Sequence, residues 1–373
     1  MTRPAPLRLL LTTDTVGGVW QYSIDLARAL AERGVETVLV QLGPAPSDAQ
    51  RGEAQAISGV TFLETGLPLD WLSDGPAPVR AAGAEIGRLA RLHGVDLVQL
   101  NMPTLAASAD PGVPMLAVTH GCVSTWWQHG RPGVPLDPGF TWHRALTEQG
   151  LRAADQVVAP SAGYAQVVRD FYGLPALPTV VYNGRTPLVT PKHEPAQDCV
   201  LTVGRLWDSV KGAELLDTVA GELSVPFHAA GAATGPHGET VRLEDLHLLG
   251  QLDSAALAKW LAARPIFVSA ACFEPFGLAV LEAAAAGCAL VLADIPVFRE
   301  LWEGTALFVP PREPAAYHAA IEQLIGDLAL RRSLGEAAAE RARRYTPTRM
   351  ADAMLPLYRQ RLAERAPAGK VAA

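Results

Sequence analysis

The feature that most constrains this chain is an alternation, sustained over nearly its whole length, between short unbroken apolar runs and longer segments with helical spacing. "LRLLL" near the N-terminus is a run of buried-strand type. "VWQYSIDLARALAERG" follows, with Trp20, Ile24, Ala27, Leu30 and Ala31 at helical intervals and Gly34 as a C-terminal cap. "VETVLVQL" is the next strand. Further strands are expected at 95–100, 114–120, 155–160 and 178–183, and helices near 79–93, 140–153 and 162–172. A polar, Pro-rich stretch at 184–198 interrupts the pattern and reads as a linker. A second series follows, with strands at 199–204, 226–231, 246–250, 265–270, 288–293 and 305–310 and helices over 211–223, 253–263, 277–286 and 314–327. Alternation in both halves argues for an α/β chain of two doubly wound, Rossmann-like domains with parallel sheets. The expected domains are 1–185 and 186–347. A last helix near 348–365 is expected to cross back, so that 348–373 packs on the first domain.

With 373 residues, two domains are the natural division. Half the residues are apolar and 18% are charged, which describes a globular protein with ample core. The net charge of −7 argues against a nucleic-acid partner and offers no general attraction to an anionic membrane, so any membrane association is expected to be peripheral. Cys122, Cys199, Cys272 and Cys288 are far apart and show neither a CxxC pair nor zinc spacing; they read as buried thiols in a reducing, cytoplasmic setting. "MTRPAPLRLLLTTD" holds too short an apolar run for a signal peptide or a membrane span.

In open parallel sheets, ligands bind outside the carboxyl ends of the strands. Four such ends carry chemistry. After the first strand, "TTDTVGGVW" brings Gly17 and Gly18 into a helix start, where backbone can approach an anion; a plain tight turn would use the same residues. In "VTHG", His120 closes a strand and precedes Gly121, a place for a crevice residue as much as for a structural histidine. In "VGRLWDSVKG", Arg205 and Lys211 straddle a loop after a strand, either as solvated cations or as a phosphate clamp. In "FEPFGLAVLE", Pro275 and Gly277 break the chain, so Glu274 lies in a loop and Glu282 about one and a half turns inside a helix. The backbone N–H groups of Phe276, Gly277 and Leu278 lie between the two carboxylates, placed to face an anion. Carboxylates accept from paired sugar hydroxyls. The bland alternative is a helix-start charge for Glu274 and an exposed face for Glu282, although a glutamate flanked by "LAVL" and "AAAAG" is expected to be buried and to need a partner.

"FEPFGLAVLEAAAAGCALVLAD" resembles the E-x7-E signature of retaining glycosyltransferases with the GT-B fold, two Rossmann-like domains facing each other across a cleft, most closely glycosyltransferase family 4 (glycosyl transferases group 1). "VGGVW", "VVAPS", "VVYNG", "VGRLWDSVKG" and "LHLLGQLDSAALAKWLAA" resemble the family's other segments in order, so the resemblance covers nearly the whole chain. It implies that Glu282 holds the ribose of a nucleotide and that Glu274, with the amides near Phe276, Gly277 and Leu278, contacts the donor sugar. It also implies that Arg205 and Lys211 bind the diphosphate, that Gly17 and Gly18 approach it, and that Leu249 lies among the donor-binding positions. His120 matches a family histidine near the transferred sugar, which makes His120, Glu274, Arg205 and Lys211 the expected catalytic set. The implied reaction is metal-independent hexosyl transfer with retention, from a UDP- or GDP-sugar to a hydroxyl of a glycan, lipid-linked or small-molecule acceptor, as in polysaccharide biosynthesis. No cofactor is implied beyond the nucleotide sugar. No D-x-D element is present, so the cations must offset the leaving group's charge.

Two departures stand out. Trp207 and Asp208 replace smaller or basic residues of many relatives. The segment 119–140 is long, aromatic and rich in Pro and Gly, and its Trp126 and Trp127 either stack on an acceptor or pack the loop. Competing expectations are a glycoside hydrolase using the two glutamates, a sugar-nucleotide epimerase, and a catalytically silent sugar-nucleotide-binding protein of the same fold. The phosphate loop disfavours the first. The presence of both Glu274 and His120 disfavours the silent protein.

Overall fold

A computed structural model describes residues 6–189 and 196–365; the middle of the expected linker, 190–195, and the end of the expected C-terminal segment, 366–373, lie outside them. The chain divides into two compact units, Met1–Thr125 with Pro135–Gly184 and Pro347–Ala373, and Trp126–Val134 with Arg185–Thr346.

In the first unit the order is β1 (Arg8–Asp14), α1 (Gly18–Ala31), β2 (Glu36–Leu42), α2 (Asp48–Gln55), β3 (Val60–Leu67), α3 (Pro76–Leu92), β4 (Leu97–Leu100), β5 (Met115–Val118), α4 (Val123–Gly130), α5 (Thr141–Ala153), β6 (Gln156–Ala159), α6 (Ala162–Tyr172) and β7 (Thr179–Val180). The strands form one seven-stranded sheet in the order β3-β2-β1-β4-β5-β6-β7, with every pair parallel. Leu9, Leu10 and Leu11 in β1 are fully buried because helices cover both faces. Each such side chain contributes about 1.5–3 kcal/mol of hydrophobic stabilisation.

The second unit runs β8 (Val200–Val203), α7 (Ala213–Ala220), β9 (Phe227–Ala230), β10 (His247–Gly250), α8 (Ser254–Ala262), β11 (Ile266–Ser269), α9 (Leu278–Ala285), β12 (Leu290–Ala293), α10 (Pro296–Trp302), β13 (Ala306–Val309), α11 (Pro314–Gly326) and α12 (Leu328–Ala342). Its six-stranded sheet has the order β10-β9-β8-β11-β12-β13, again all parallel. The final helix, α13 (Pro347–Arg365), belongs to the first unit, where Met350, Met354 and Tyr358 join Trp20, Ile24 and Ala27 in one core.

Some elements carry no apolar run. The edge strand β3 is half exposed along its length, and α2 is a short polar helix set by a capping box between Ser47 and Gln50 that buries Ala54. The Pro-initiated α10 is also unmarked by the alternation. The division differs from the expected one at two places. Arg185 groups with the second unit, where its N–H donates to Tyr345 O and its guanidinium pairs with Glu282. Trp126–Val134, expected within the first domain, groups with the second because Trp126 bonds Asp208 and His129 stacks on Phe273.

Each sheet has one point where the strand order reverses, between β1 and β4 in the first unit and between β8 and β11 in the second. Connections from such neighbours leave to opposite faces and open a crevice at the carboxyl ends, where doubly wound proteins bind ligands.

Candidate functional site

In the second unit the loops after β8 and β11 meet at the switch point. The turn Ser209–Lys211 ends at Gly212, which has φ 72°. A Cβ there would come within 2.9 Å of Ala270, so glycine lets the β8 loop lie against the end of β11. The Cys272 N–H donates to Val210 O at 2.9 Å and ties the two loops together. Lys211 Nζ then reaches Glu274 Oε2 at 2.7 Å, with both side chains about one-fifth exposed.

Asp208 organises the other cation. Almost completely buried, it accepts from Arg205 Nη2 at 2.8 Å, from Trp126 Nε1 at 2.8 Å and from the Val210 N–H at 3.3 Å. These bonds satisfy a carboxylate that would otherwise be costly to bury. Arg205 keeps 42% side-chain exposure, so part of its guanidinium fork faces solvent. The carboxyl ends of β8, β9 and β10 are knit by glycines: the Gly204 N–H donates to Ala230 O and the Gly231 N–H to Gly250 O. A Cβ on Gly231 would sit 1.7 Å from Gly204 O.

Gly277, with φ 91°, starts α9 without a side-chain cap. The first-turn amides of Leu278 and its neighbours therefore belong to a helix start of the anion-accepting kind. The Phe276 side chain is buried edge-on against Tyr345. Glu282 lies inside α9, nearly buried, and its partner is Arg185, whose Nε donates to Glu282 Oε1 at 2.6 Å. Leu249 is half-buried in β10, the edge strand of this sheet.

Trp126 and Trp127 both make packing contacts. The Trp126 indole N–H is committed to Asp208. Trp127 is buried, donates to Val134 O at 3.1 Å, and has the Arg131 guanidinium 4.4 Å from its ring centroid. Both indoles thus help pack the second unit, while Trp126 stays half-buried.

In the first unit, Gly17 and Gly18 are exposed where β1 runs into α1. Gly17 has an extended backbone, and a Cβ there would meet nothing within 4 Å, so packing inside the protein does not require glycine. His120 follows β5, half-buried, with its ring 4.4 Å from that of Tyr22 and Nε2 3.2 Å from Asn101 Oδ1. Burial pushes the His120 imidazole down to about 3, so it is neutral at physiological pH.

Of the expected residues, the structure brings Arg205, Lys211, Glu274, Glu282, Gly277 and Leu278 to the β8 and β11 end of one unit. It places Gly17, Gly18 and His120 at strand ends of the other. Arg185, Asn101 and the bonding role of Asp208 have no motif of their own. The usable signals were the need of a buried Glu282 for a cation and the place of Asn101 at a strand's carboxyl end. Among the described residues no group of three or more His, Cys, Asp or Glu is placed to hold a metal ion. None of their helices is long and apolar enough to cross a membrane.

The model of Glycosyltransferase Family 4 matches residues 16–187, and that of Glycosyl transferases group 1 matches residues 197–327. A D-inositol 3-phosphate glycosyltransferase of Kineococcus radiotolerans is 26% identical, over 95% of this chain and 93% of its own. Among solved structures, sucrose-phosphate synthase from Thermosynechococcus elongatus superposes with a TM-score of 0.75 at 20% identity, covering 96% of this chain and 100% of that one. Anabaena HepE in complex with UDP-glucose superposes with a TM-score of 0.73 at 20% identity, covering 95% and 100%. With its two parallel-sheet units and both family models matched in sequence order, the chain belongs to the family 4, group 1 glycosyltransferases of GT-B fold.

Proposed function

We propose that this glycosyltransferase moves a hexose from a UDP- or GDP-sugar to a hydroxyl of a glycan, lipid-linked or small-molecule acceptor, with retention of anomeric configuration and without a metal ion. The observation that carries the reading is the Lys211–Glu274 contact of 2.7 Å at the switch point of the second unit, with Arg205 on the same loop and Glu282 on the following helix. Lys211 has three donors and spends one on Glu274, so it can also hold a phosphate oxygen. Arg205 offers the solvent-facing part of its fork to the same diphosphate. Glu282 holds the ribose and Glu274 the transferred sugar. The second unit thus serves the donor and the first, carrying His120, the acceptor side. The UDP-glucose complex of Anabaena HepE supports a nucleotide-sugar donor.

In the proposed step the bond from C1 to the β-phosphate oxygen breaks and the acceptor oxygen bonds C1 on the same face. The acceptor's proton passes to the departing diphosphate oxygen, and the products are the glycoside and a nucleoside diphosphate. Arg205 and Lys211 stabilise the charge that builds on the leaving group. Glu274 and Glu282 are tied to different cations, Lys211 and Arg185, which disfavours their pairing as the acid and nucleophile of a hydrolase.

The test is a thermal-shift panel of nucleotide sugars followed by turnover in a chelator. A ligand at 100 times its Kd should add about 2.7 kcal/mol of stability. Proton NMR of the product should show the donor's anomeric configuration. An inverted product, or a strict need for added magnesium or manganese, contradicts the proposed mechanism. Conversion of the donor without an acceptor would favour an epimerase, and binding without turnover a silent sugar-nucleotide protein.

A further inference from the structure

The first unit's own switch point, between β1 and β4, carries a buried polar chain that the donor reading does not use. Asn101 sits just past the carboxyl end of β4. Its Nδ2 donates to the backbone oxygen of Thr12 at 2.7 Å and lies 3.0 Å from Ser23 Oγ, and its N–H donates to Thr12 Oγ1 at 2.8 Å. Behind it stands Gln99, fully buried, whose Nε2 lies 3.2 Å from Asn101 Oδ1 and 3.1 Å from Tyr22 OH. Tyr358 of α13 donates its hydroxyl to Gln99 Oε1. On the open side of Asn101 is His120 Nε2, 3.2 Å from Oδ1.

Hydrogen-bond accounting leaves one arrangement. A backbone carbonyl only accepts, so the Asn101 atom facing Thr12 O is the NH2 group and the atom facing His120 is the oxygen. Gln99 is oriented in the same sense: Asn101 Oδ1 only accepts, so the Gln99 group that meets it is the NH2 group, which leaves the Gln99 oxygen to take the Tyr358 hydroxyl. An amide oxygen cannot donate, so the ring nitrogen that meets it must carry the hydrogen. Burial independently keeps the ring neutral, with only one hydrogen to place.

We propose that Asn101, backed by Gln99, is a positioning residue that fixes the Nε2–H tautomer of His120, leaving Nδ1 as an acceptor that reads a hydroxyl rather than a phosphate oxygen. The tautomer follows from the chain alone; the use of Nδ1 on a sugar hydroxyl rests on the proposed function. His120 then acts by accepting a hydrogen bond, which orients the sugar, and exchanges no proton in the transfer.

The test is long-range proton–nitrogen correlation NMR on the full-length protein, with the His120 signal assigned by its disappearance in His120→Ala. The wild type should show one tautomer, hydrogen on Nε2 and none on Nδ1. Asn101→Ser withdraws the acceptor and should give a mixture of tautomers. It should also lower kcat about tenfold, with KM for the donor within about twofold of the wild type. A wild-type ring carrying hydrogen on Nδ1 overturns the inference, and that measurement does not depend on any variant folding. An unchanged tautomer in a folded Asn101→Ser protein overturns it as well. Full transfer activity in His120→Ala would instead remove the histidine from the proposed reaction while the tautomer assignment stands.

Discussion

Lys211 Nζ and Glu274 Oε2 lie 2.7 Å apart although the two residues come from different loops, one after β8 and one after β11. Each is the other's counter-ion. Lys211→Met is expected to lower kcat/KM by about 10²–10³, the usual loss for a group that stabilises developing charge. Combined with Glu274→Gln, the two changes should be non-additive in donor affinity by about 0.5–3 kcal/mol. Strict additivity in a double-mutant cycle by calorimetry would show that the pair is not a unit.

The Arg185–Glu282 pair is more deeply buried than the Lys211 pair. Arg185→Met takes the guanidinium away from a nearly buried carboxylate and should cost about 3–5 kcal/mol in urea unfolding. Arg185→Met with Glu282→Leu should recover most of that loss, because two apolar side chains replace two charges. On the proposed function, nucleotide binding should be lost in the double variant, because Glu282→Leu removes the carboxylate offered to the ribose. Recovery of binding would exclude Glu282 as the ribose ligand.

Two glycines differ in what surrounds them. A Cβ on Gly17 meets open space, whereas one on Gly231 would lie 1.7 Å from Gly204 O. Gly231→Ala should destabilise the protein by more than about 2 kcal/mol. Gly17→Ala should leave stability within about 0.5 kcal/mol of the wild type while weakening the donor step. Thermal melts and steady-state kinetics on both variants check this; a normal rate in Gly17→Ala would place that loop outside the reaction.

Acid stability is tied to Asp70 in the first unit. Burial works to raise its carboxyl, but attraction to His143 at 3.2 Å, the Thr104 hydroxyl and the Trp71 N–H together hold it below the ordinary value. A carboxyl lowered on folding contributes stability that is present above its unfolded value, about 3.9, and is lost as pH falls through the lower folded value. His143→Gln leaves burial less opposed, so the folded value moves up toward the unfolded one and less stability is lost on acidification. Unfolding free energies measured from pH 2 to 6 should show a shallower acid limb in the variant; coincident acid limbs would remove Asp70 from the account.

Much of this was legible from the chain. Unbroken apolar runs such as "LRLLL" and "CALVLA" mark strands buried on both faces, whereas α1 is capped at Glu32, and Gly34, with φ 76°, turns the chain two residues later. The half-exposed β3 and the polar α2 lie where one face meets solvent, and there apolar periodicity fades. The site was legible where loop chemistry is local, as at Arg205, Lys211 and Glu274. It was not where the partner is distant in sequence: Arg185 is 97 positions from Glu282 and Trp126 is 82 from Asp208. Nor does "VDLVQLNMP" set Asn101 apart from any polar residue that closes a strand.

The most direct test of the central claim, that the switch point of the second unit binds a nucleoside-diphosphate sugar through Lys211 and Glu282, is titration calorimetry with UDP-glucose and GDP-mannose against the wild type, Lys211→Met and Glu282→Gln. The account predicts saturable binding of one of the two donors to the wild type, weakened at least about tenfold, or 1.4 kcal/mol, in each variant. Equal affinity in all three proteins, or binding of neither donor by the wild type, would contradict it.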